Sequence, residues 1–315
     1  MVVNAITLGI LFYLLVRKLF IPRLEADFAF QRQMLDTSFP LMINHLLATV
    51  FFRIDVLILQ PLKGDAVVGY YGAAYKYIDG LNIIPAYFTM AIFPIMSRYA
   101  ASAKESLMRA YILALRLLLI VSIPIAVGTT FIAKELILIL GGSEYLPHSM
   151  IALQLLIWFL PLSYINSVTQ YVLIAIDQQR FLTKAFLIGV AFNIVANLIF
   201  IPRYSYQAAA VVTIFSELAL LIPFYYCVRK HIGSLPWPEL FWRPSVASAV
   251  MAVILWVMRD VNILVRVPAA AIVYFAALLA LGAFSREEIA AAVGAFKRQF
   301  GGLRETEPRF LCDHD

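Results

Sequence analysis

The stretch "FFRIDVLILQPLKGDAVVGYYGAAYKYIDGLN", Phe51 to Asn82, decides the fold. Both of its arms are apolar enough to sit in lipid. The short turn Leu62-Lys63-Gly64-Asp65 between them makes the two arms an antiparallel helical hairpin. Each arm nevertheless carries charges, Arg53 and Asp55 in the first and Lys76 and Asp79 in the second. A charge in the bilayer core costs about 2.5–3.5 kcal/mol on insertion scales, so such residues normally face a bundle interior or an aqueous cavity. At about 100° per residue, Asn44 and Asp55 share one face of the first arm, while Arg53 and Thr49 share nearly the opposite one. Arg53 and Asp55 are therefore not partners of each other.

On the second arm, Gly72, Tyr75, Lys76, Asp79 and Asn82 form one polar stripe, with Lys76 and Asp79 at i and i+3. At 1.5 Å per residue, Arg53 and Lys76 both lie roughly 12 Å below the outer ends of their helices. Two readings follow. In one, Arg53 and Lys76 pair with Asp55 and Asp79 as a neutral set that only fixes helix packing. In the other, the cations line a water-filled cavity that receives an anionic headgroup. Packing alone rarely requires four ionisable groups in one hairpin, which favours the second. Tyr70, Tyr71, Tyr75 and Tyr77 cluster here too, as a platform for sugar rings or as an interfacial aromatic belt.

The rest of the chain extends the hairpin into a bundle. Of its 315 residues 63% are hydrophobic and only 14% charged, with a mean hydropathy of +0.86; soluble domains carry about 25% charged residues. A helix crosses the hydrocarbon in about 20 residues. That rule predicts nine transmembrane helices, at 2–20, 38–61, 67–96, 110–132, 149–175, 182–201, 206–228, 244–262 and 264–284, hence an all-α polytopic membrane helix bundle. The stretch "KELILILGG", Lys134 to Gly142, is too short to cross and is expected as an interfacial or re-entrant helix.

Basic residues set the direction. Eighteen of the 25 fall on the side that follows spans one, three, five, seven and nine, and five on the other. That puts the first side, and the C-terminus, in the cytoplasm. The net charge of +6 is accounted for in this way and not by nucleic-acid binding. The N-terminus is then outside, as expected if the earlier helices of a longer protein precede it. Span one has no basic residue before its apolar run and no small-residue cleavage pattern, unlike a signal peptide. After span nine, "REEIAAAVGAFKRQF" places Ile289, Val293, Phe296 and Phe300 on one helical face, an amphipathic helix on the inner membrane surface or a solubilising tail.

Other polar residues are one-sided. Span five carries Ser163, Asn166, Ser167 and Gln170 on one face, and span six has Asn193 and Asn197 at i and i+4; such residues more often bond helix to helix than touch a ligand. Glu217 lies near the midplane of span seven, as a proton carrier or as a hydrogen-bonded packing residue. Pro85 and Pro94, Pro124, Pro161 and Pro223 fall inside spans three, four, five and seven, where they are expected to kink the helices. The two cysteines, Cys227 and Cys312, have no paired spacing and read as free thiols. There is no P-loop, HExxH, Cys/His cluster or GxSxG elbow, and the four histidines are scattered, so neither an enzyme nor a cofactor is expected.

Two stretches resemble a known family. "RIDVLILQPLKGDAVVGYYGAAYKYIDGLNIIPAYFTMAIFPIMSR", Arg53 to Arg98, is similar to the hairpin opening the second half of polysaccharide flippases. These are the O-antigen, teichoic-acid and exopolysaccharide exporters of the multidrug/oligosaccharidyl-lipid/polysaccharide superfamily. "NIVANLIFIPRYSYQAAAVVTIFSE", Asn193 to Glu217, resembles that family's Asn-x3-Asn, Ile-Pro, Gly-Ala-Ala and Ser-Glu run, although the family often has glycines where Ser205 and Ala208 stand. The resemblance implies a division into the last helix of a first lobe (1–21), a six-helix second lobe (37–232), two additional transmembrane helices (243–284) and a cytoplasmic tail (285–315). It implies alternating-access flipping of an undecaprenyl-diphosphate-linked saccharide in the cell (inner) membrane, with the lipid-linked oligosaccharide, membrane lipid and a missing N-terminal lobe or partner chain as partners. Arg53 and Lys76 match the basic residues that engage the diphosphate. Asp55, Asp79, Asn82 and Tyr75 complete the expected substrate site. Proton or sodium coupling would fall to Asp55, Asp79 or Glu217. The rivals are a drug/cation antiporter of the same superfamily and a membrane glycosyltransferase or polymerase.

Overall fold

A computed structural model describes residues 2–18 and 27–283. Its elements are α1 (Val2–Lys18), α2 (Phe28–Lys63), α3 (Asp65–Ser102), α4 (Lys104–Gly141), α5 (His148–Leu156), α6 (Leu160–Ala175), α7 (Gln179–His231), α8 (Trp237–Val257) and α9 (Ile263–Ala280). Among the described residues, seven helical stretches are long and apolar enough to cross a membrane: Met42–Lys63 of α2, α3, α4, His148–Ala175, α7, α8 and α9. The amphipathic stretch after span nine lies outside the described residues.

Contacts divide the chain into two compact units, Met1–Ile43 and Asn44–Asp315. The first holds α1 and the start of α2. Asp27 caps α2 there, its Oδ1 accepting the backbone N–H of Ala29 at 3.0 Å and of Phe30 at 3.1 Å.

In the second unit α2 and α3 form the expected hairpin. Gly64, at φ 82, supplies the turn conformation that a side chain would oppose. α3 and α4 each run 38 residues, about 57 Å at 1.5 Å per residue, longer than a bilayer core requires. The stretch from Lys134 is not a re-entrant piece; it forms the last turns of α4, which ends at Gly141. Span five is interrupted, because a 3-10 turn at Ile157–Phe159 separates α5 from α6. Pro161 therefore stands in the first turn of α6, where its missing N–H is harmless, and not in a helix interior.

α7 is a hairpin of two arms. The chain reverses at Ser205, whose φ of 55 and ψ of −140 are not helical. Residues equidistant from Ser205 meet: the Phe186 and Phe224 rings are 5.7 Å apart, and a Cβ on Gly189 would lie 3.5 Å from Leu220. The same Cβ would come 3.2 Å from the Phe51 ring, so glycine is what lets the first arm approach α2. Lys63, at the end of α2, donates to the Pro202 carbonyl beside the turn at 2.8 Å. The two arms account for predicted spans six and seven. α1, at 17 residues, covers the first predicted span.

The Ser205 backbone is one that glycine adopts freely and other residues hold at a cost of about 1–3 kcal/mol. Ser205→Gly is expected to raise stability by about 1 kcal/mol. Ala208→Gly, in the helical second arm, is expected to lower it by a similar amount. Thermal unfolding of the two variants in detergent checks the opposite signs.

Two interior prolines are handled by one device. A proline has no N–H for the carbonyl four residues earlier. Pro85 frees the Leu81 carbonyl, and Tyr164 of α6 donates its hydroxyl to that oxygen at 2.7 Å. Pro124 frees the Ile120 carbonyl, and Tyr274 of α9 donates to it at 2.6 Å. Tyr274 is part of a separate small core in which Ala247, Met251 and Leu255 of α8 and Ala270 and Leu278 of α9 pack with Ile120 of α4. The main core lies among α2 to α7. Large apolar side chains such as Ile139, Ile222, Leu264 and Ile272 point outward, as lipid-facing positions do.

Candidate transport cavity

Residues of α2, α3, α6 and both arms of α7 enclose a cavity of about 320 Å³. α2 gives Phe52 and Arg53; α3 gives Tyr75, Asp79, Asn82, Pro85 and Ala86; α6 gives Ser163, Asn166, Ser167 and Gln170; α7 gives Phe186, Glu217 and Leu220. The polar face of span five, expected more often to bond neighbouring helices, thus contributes all four of its residues to the cavity wall. Tyr75, Asp79 and Asn82 reach the cavity because their spacing puts them on one side of α3.

Arg53 pairs across the hairpin with Asp79, its Nη2 lying 3.3 and 3.2 Å from the two carboxylate oxygens. The guanidinium also stands 5.6 Å from the centroid of the Tyr75 ring, within cation–π range. The two side chains are 54% and 49% exposed. The i,i+3 approach of Lys76 to Asp79 does not form: Asp79 is taken by Arg53, and Lys76 is exposed and off the cavity wall. Thus the charged groups lining the cavity are Arg53, Asp79 and Glu217.

Asp55 faces away from it. At 2% exposure it accepts the Tyr71 hydroxyl at 2.6 Å and the Val56 N–H at 2.8 Å. This contact locks α2 to α3 and removes Asp55 from the group of cavity residues expected from sequence. The opposed faces of α2 are as read: Asn44 and Asp55 are buried, Thr49 and Arg53 exposed. The tyrosines part company. Tyr71 holds Asp55, Tyr75 underlies Arg53, Tyr77 donates to the Leu136 carbonyl, and Tyr70 packs on His148.

Glu217 is 1% exposed and lines the cavity. Asn166 donates to both its carboxylate, at 2.6 Å, and its own backbone carbonyl, at 2.9 Å. The second carboxylate oxygen has no partner of good hydrogen-bond geometry, although the Ser163 side chain lies close enough to interact. The sequence singled out Asn166 and Glu217 separately. Their pairing depends on α6 packing against the second arm of α7, for which one sequence holds no signal. Asn193 donates to the Phe51 carbonyl of α2 at 3.1 Å, an interhelical bond of the expected kind, whereas Asn197 donates to Asn193 within the same helix.

A family of polysaccharide biosynthesis proteins matches residues 1–100. An uncharacterized membrane protein of Methanocaldococcus jannaschii is 24% identical over 216 residues, 67% of this chain and 42% of that protein. The probable flippase AglR of Haloferax volcanii is 23% identical over 247 residues, 75% of this chain and 52% of AglR. The chain spans about half the length of the curated relatives it matches. Among solved structures, the lipid II flippase MurJ in an inward closed conformation superposes with a TM-score of 0.72 at 16% identity, over 87% of this chain and 59% of MurJ. A MATE transporter in complex with MaD3S gives 0.55 at 17% identity, over 76% and 62%. At these identities the two structures establish a shared fold. The chain is therefore similar to polysaccharide biosynthesis proteins over its first 100 residues, and its fold is the one shared by the MurJ flippase and the MATE transporter.

Proposed function

We propose that the chain forms one lobe of a transporter that flips a lipid-linked saccharide, of the undecaprenyl-diphosphate type, across the cell (inner) membrane for polysaccharide export. The observation that carries this reading is the half-exposed Arg53 guanidinium at the edge of a polar cavity. A second lobe, in the same or another chain, supplies the facing wall. The C-terminus is cytoplasmic, following the basic-residue asymmetry. The named relatives are transporters, which speaks for transport over catalysis.

In this mechanism Asp79 is a place-holder. It shares Arg53 with water, and surface pairs of this exposure contribute little net stability, about 0–1 kcal/mol. A diphosphate offers more charge and bidentate geometry to the same guanidinium, so it displaces Asp79. Lys76, exposed one turn from Asp79 but off the cavity wall, supplies a second cation on α3 that a bulky diphosphate headgroup can reach. Asn82, Ser163, Ser167 and Gln170 can bond sugar hydroxyls. Glu217, held by Asn166, is the coupling residue that fits the cavity; Asp55, locked by Tyr71, fits it poorly.

Binding of a polyprenyl diphosphate to the purified protein is the test. Arg53→Ala is expected to weaken binding at least tenfold and Lys76→Ala about threefold, whereas Asp79→Asn strengthens it. Unchanged affinity in Arg53→Ala overturns the assignment. Saturable binding of organic cations that depends on Glu217 would favour an antiporter instead.

A further inference from the structure

A second amphiphilic feature lies elsewhere on α3. α3 and α4 enclose a groove of about 410 Å³. Its floor is Met96 of α3 and Ala114 of α4, both nearly fully buried. Phe88, Ile92 and Tyr99 wall one side. On the other, Ala110 and Ala114 stand one above the other at i and i+4, and their small side chains leave the trough open. One end is polar. Arg109, 72% exposed, donates to the Ser106 hydroxyl at 3.1 Å and approaches Glu105 at 4.0 Å, and both Arg109 and Ser106 line the groove. Between residues 98 and 116 the sequence has four basic residues against the single acid Glu105, which is itself 92% exposed.

We propose that this groove binds an anionic phospholipid of the cytoplasmic leaflet. One acyl chain lies along Met96 and Ala114, and the phosphate meets the Arg109 guanidinium and the Ser106 hydroxyl. The polarity of the groove matches such a lipid end for end. Its cationic end lies beside the α3–α4 turn, on the side that the basic-residue asymmetry assigns to the cytoplasm, where anionic headgroups attract exposed Arg and Lys. The loose Glu105 contact is a solvent-exposed i,i+4 pair and yields readily to a phosphate. The site also has a line to transport. Asn82, Pro85 and Ala86 face the cavity, while Phe88 and Ile92, within two turns of them, face the groove. A lipid in the groove therefore bears on the proline-interrupted part of α3 that shapes the cavity.

Native mass spectrometry of the purified protein, titrated with phosphatidylglycerol and with phosphatidylcholine of identical acyl chains, tests the site. Phosphatidylglycerol is expected to bind at least fivefold more tightly. Arg109→Gln, at an exposed position with no packing role, brings it down to the phosphatidylcholine level. Ala110→Leu, which fills the groove, weakens both lipids. Lys104→Gln, exposed and outside the groove, leaves the preference unchanged. The proposal is overturned if Arg109→Gln keeps the preference, if Lys104→Gln removes it equally, if Ala110→Leu binds as before, or if a polyprenyl phosphate saturates the site while phosphatidylglycerol does not. The polyprenyl phosphate arm is run on Arg53→Ala, which removes the diphosphate site, and the other readouts compare variants at the groove alone, so the two proposals stand or fall separately.

Discussion

Glu135→Ala is expected to destabilise the docking of α8 and α9 on α4 by about 3 kcal/mol. Arg266 of α9 is 3% exposed, and its guanidinium bonds the Glu135 carboxylate of α4 and, at 3.0 Å, the Arg259 carbonyl. Its Nε is buried without a partner. Removing the carboxylate leaves a cation in an apolar setting with one carbonyl for company. Breaking a buried pair costs about 3–5 kcal/mol, and the low end applies because the Glu135 side chain remains one-third exposed, which lets water share the charge. The double change Glu135→Leu with Arg266→Met is expected to recover most of the loss, since it removes both charges and their desolvation together. A detergent-denaturation series on the two single variants and the double variant gives the cycle. Equal stability of Glu135→Ala and the parent would mean that apolar contacts with Ile120, Val127 and Ile132 and the Tyr274 hydrogen bond suffice to hold α8 and α9 on α4.

That pair shows where sequence reasoning stops. Arg266 reads as one of the five outer-side basic residues, at the start of span nine, and Glu135 lies in a stretch that reads as too short to cross. Both judgements came from local composition. The helix propagates past Lys134 because nothing before Gly142 breaks it, and a charge at its end is tolerated when another helix brings the counter-charge. The hairpins were legible for the converse reason. Lys63-Gly64-Asp65 and the run at Pro202 to Ser205 interrupt apolar stretches locally, and local interruptions are what one sequence records.

The same division runs through the cavity. Helical angles alone put Arg53 and Asp55 on opposite faces of α2 and aligned Tyr75, Asp79 and Asn82 on one side of α3. They could not choose the partner of Asp79, because Lys76 and Arg53 were both within plausible reach. The planar guanidinium on the facing helix takes it, and the nearby ammonium turns to water. Nor could they match Pro85 with Tyr164 or Pro124 with Tyr274. Each match needs to know which helix stands opposite a freed carbonyl, and sequence spacing along one helix does not contain that.

Asn166→Leu is expected to cost about 3 kcal/mol and to abolish transport, and Glu217→Gln to separate the two losses. The Asn166 amide satisfies a carboxylate oxygen and the backbone carbonyl of the same residue. A leucine of similar bulk leaves both acceptors buried and unbonded, and a hydrogen bond to a charged group is worth about 1.5–3 kcal/mol. Glutamine at 217 keeps the shape and still offers an oxygen to Asn166, so its stability should fall by less than about 1 kcal/mol. What it cannot do is take up and release a proton. If Glu217 carries the coupling ion, Glu217→Gln folds normally and transports at least tenfold more slowly in vesicles. If it transports at the parental rate while Asn166→Leu is unstable, then the Asn166–Glu217 contact only joins α6 to α7, and the coupling role must be withdrawn while the cavity and its Arg53 remain.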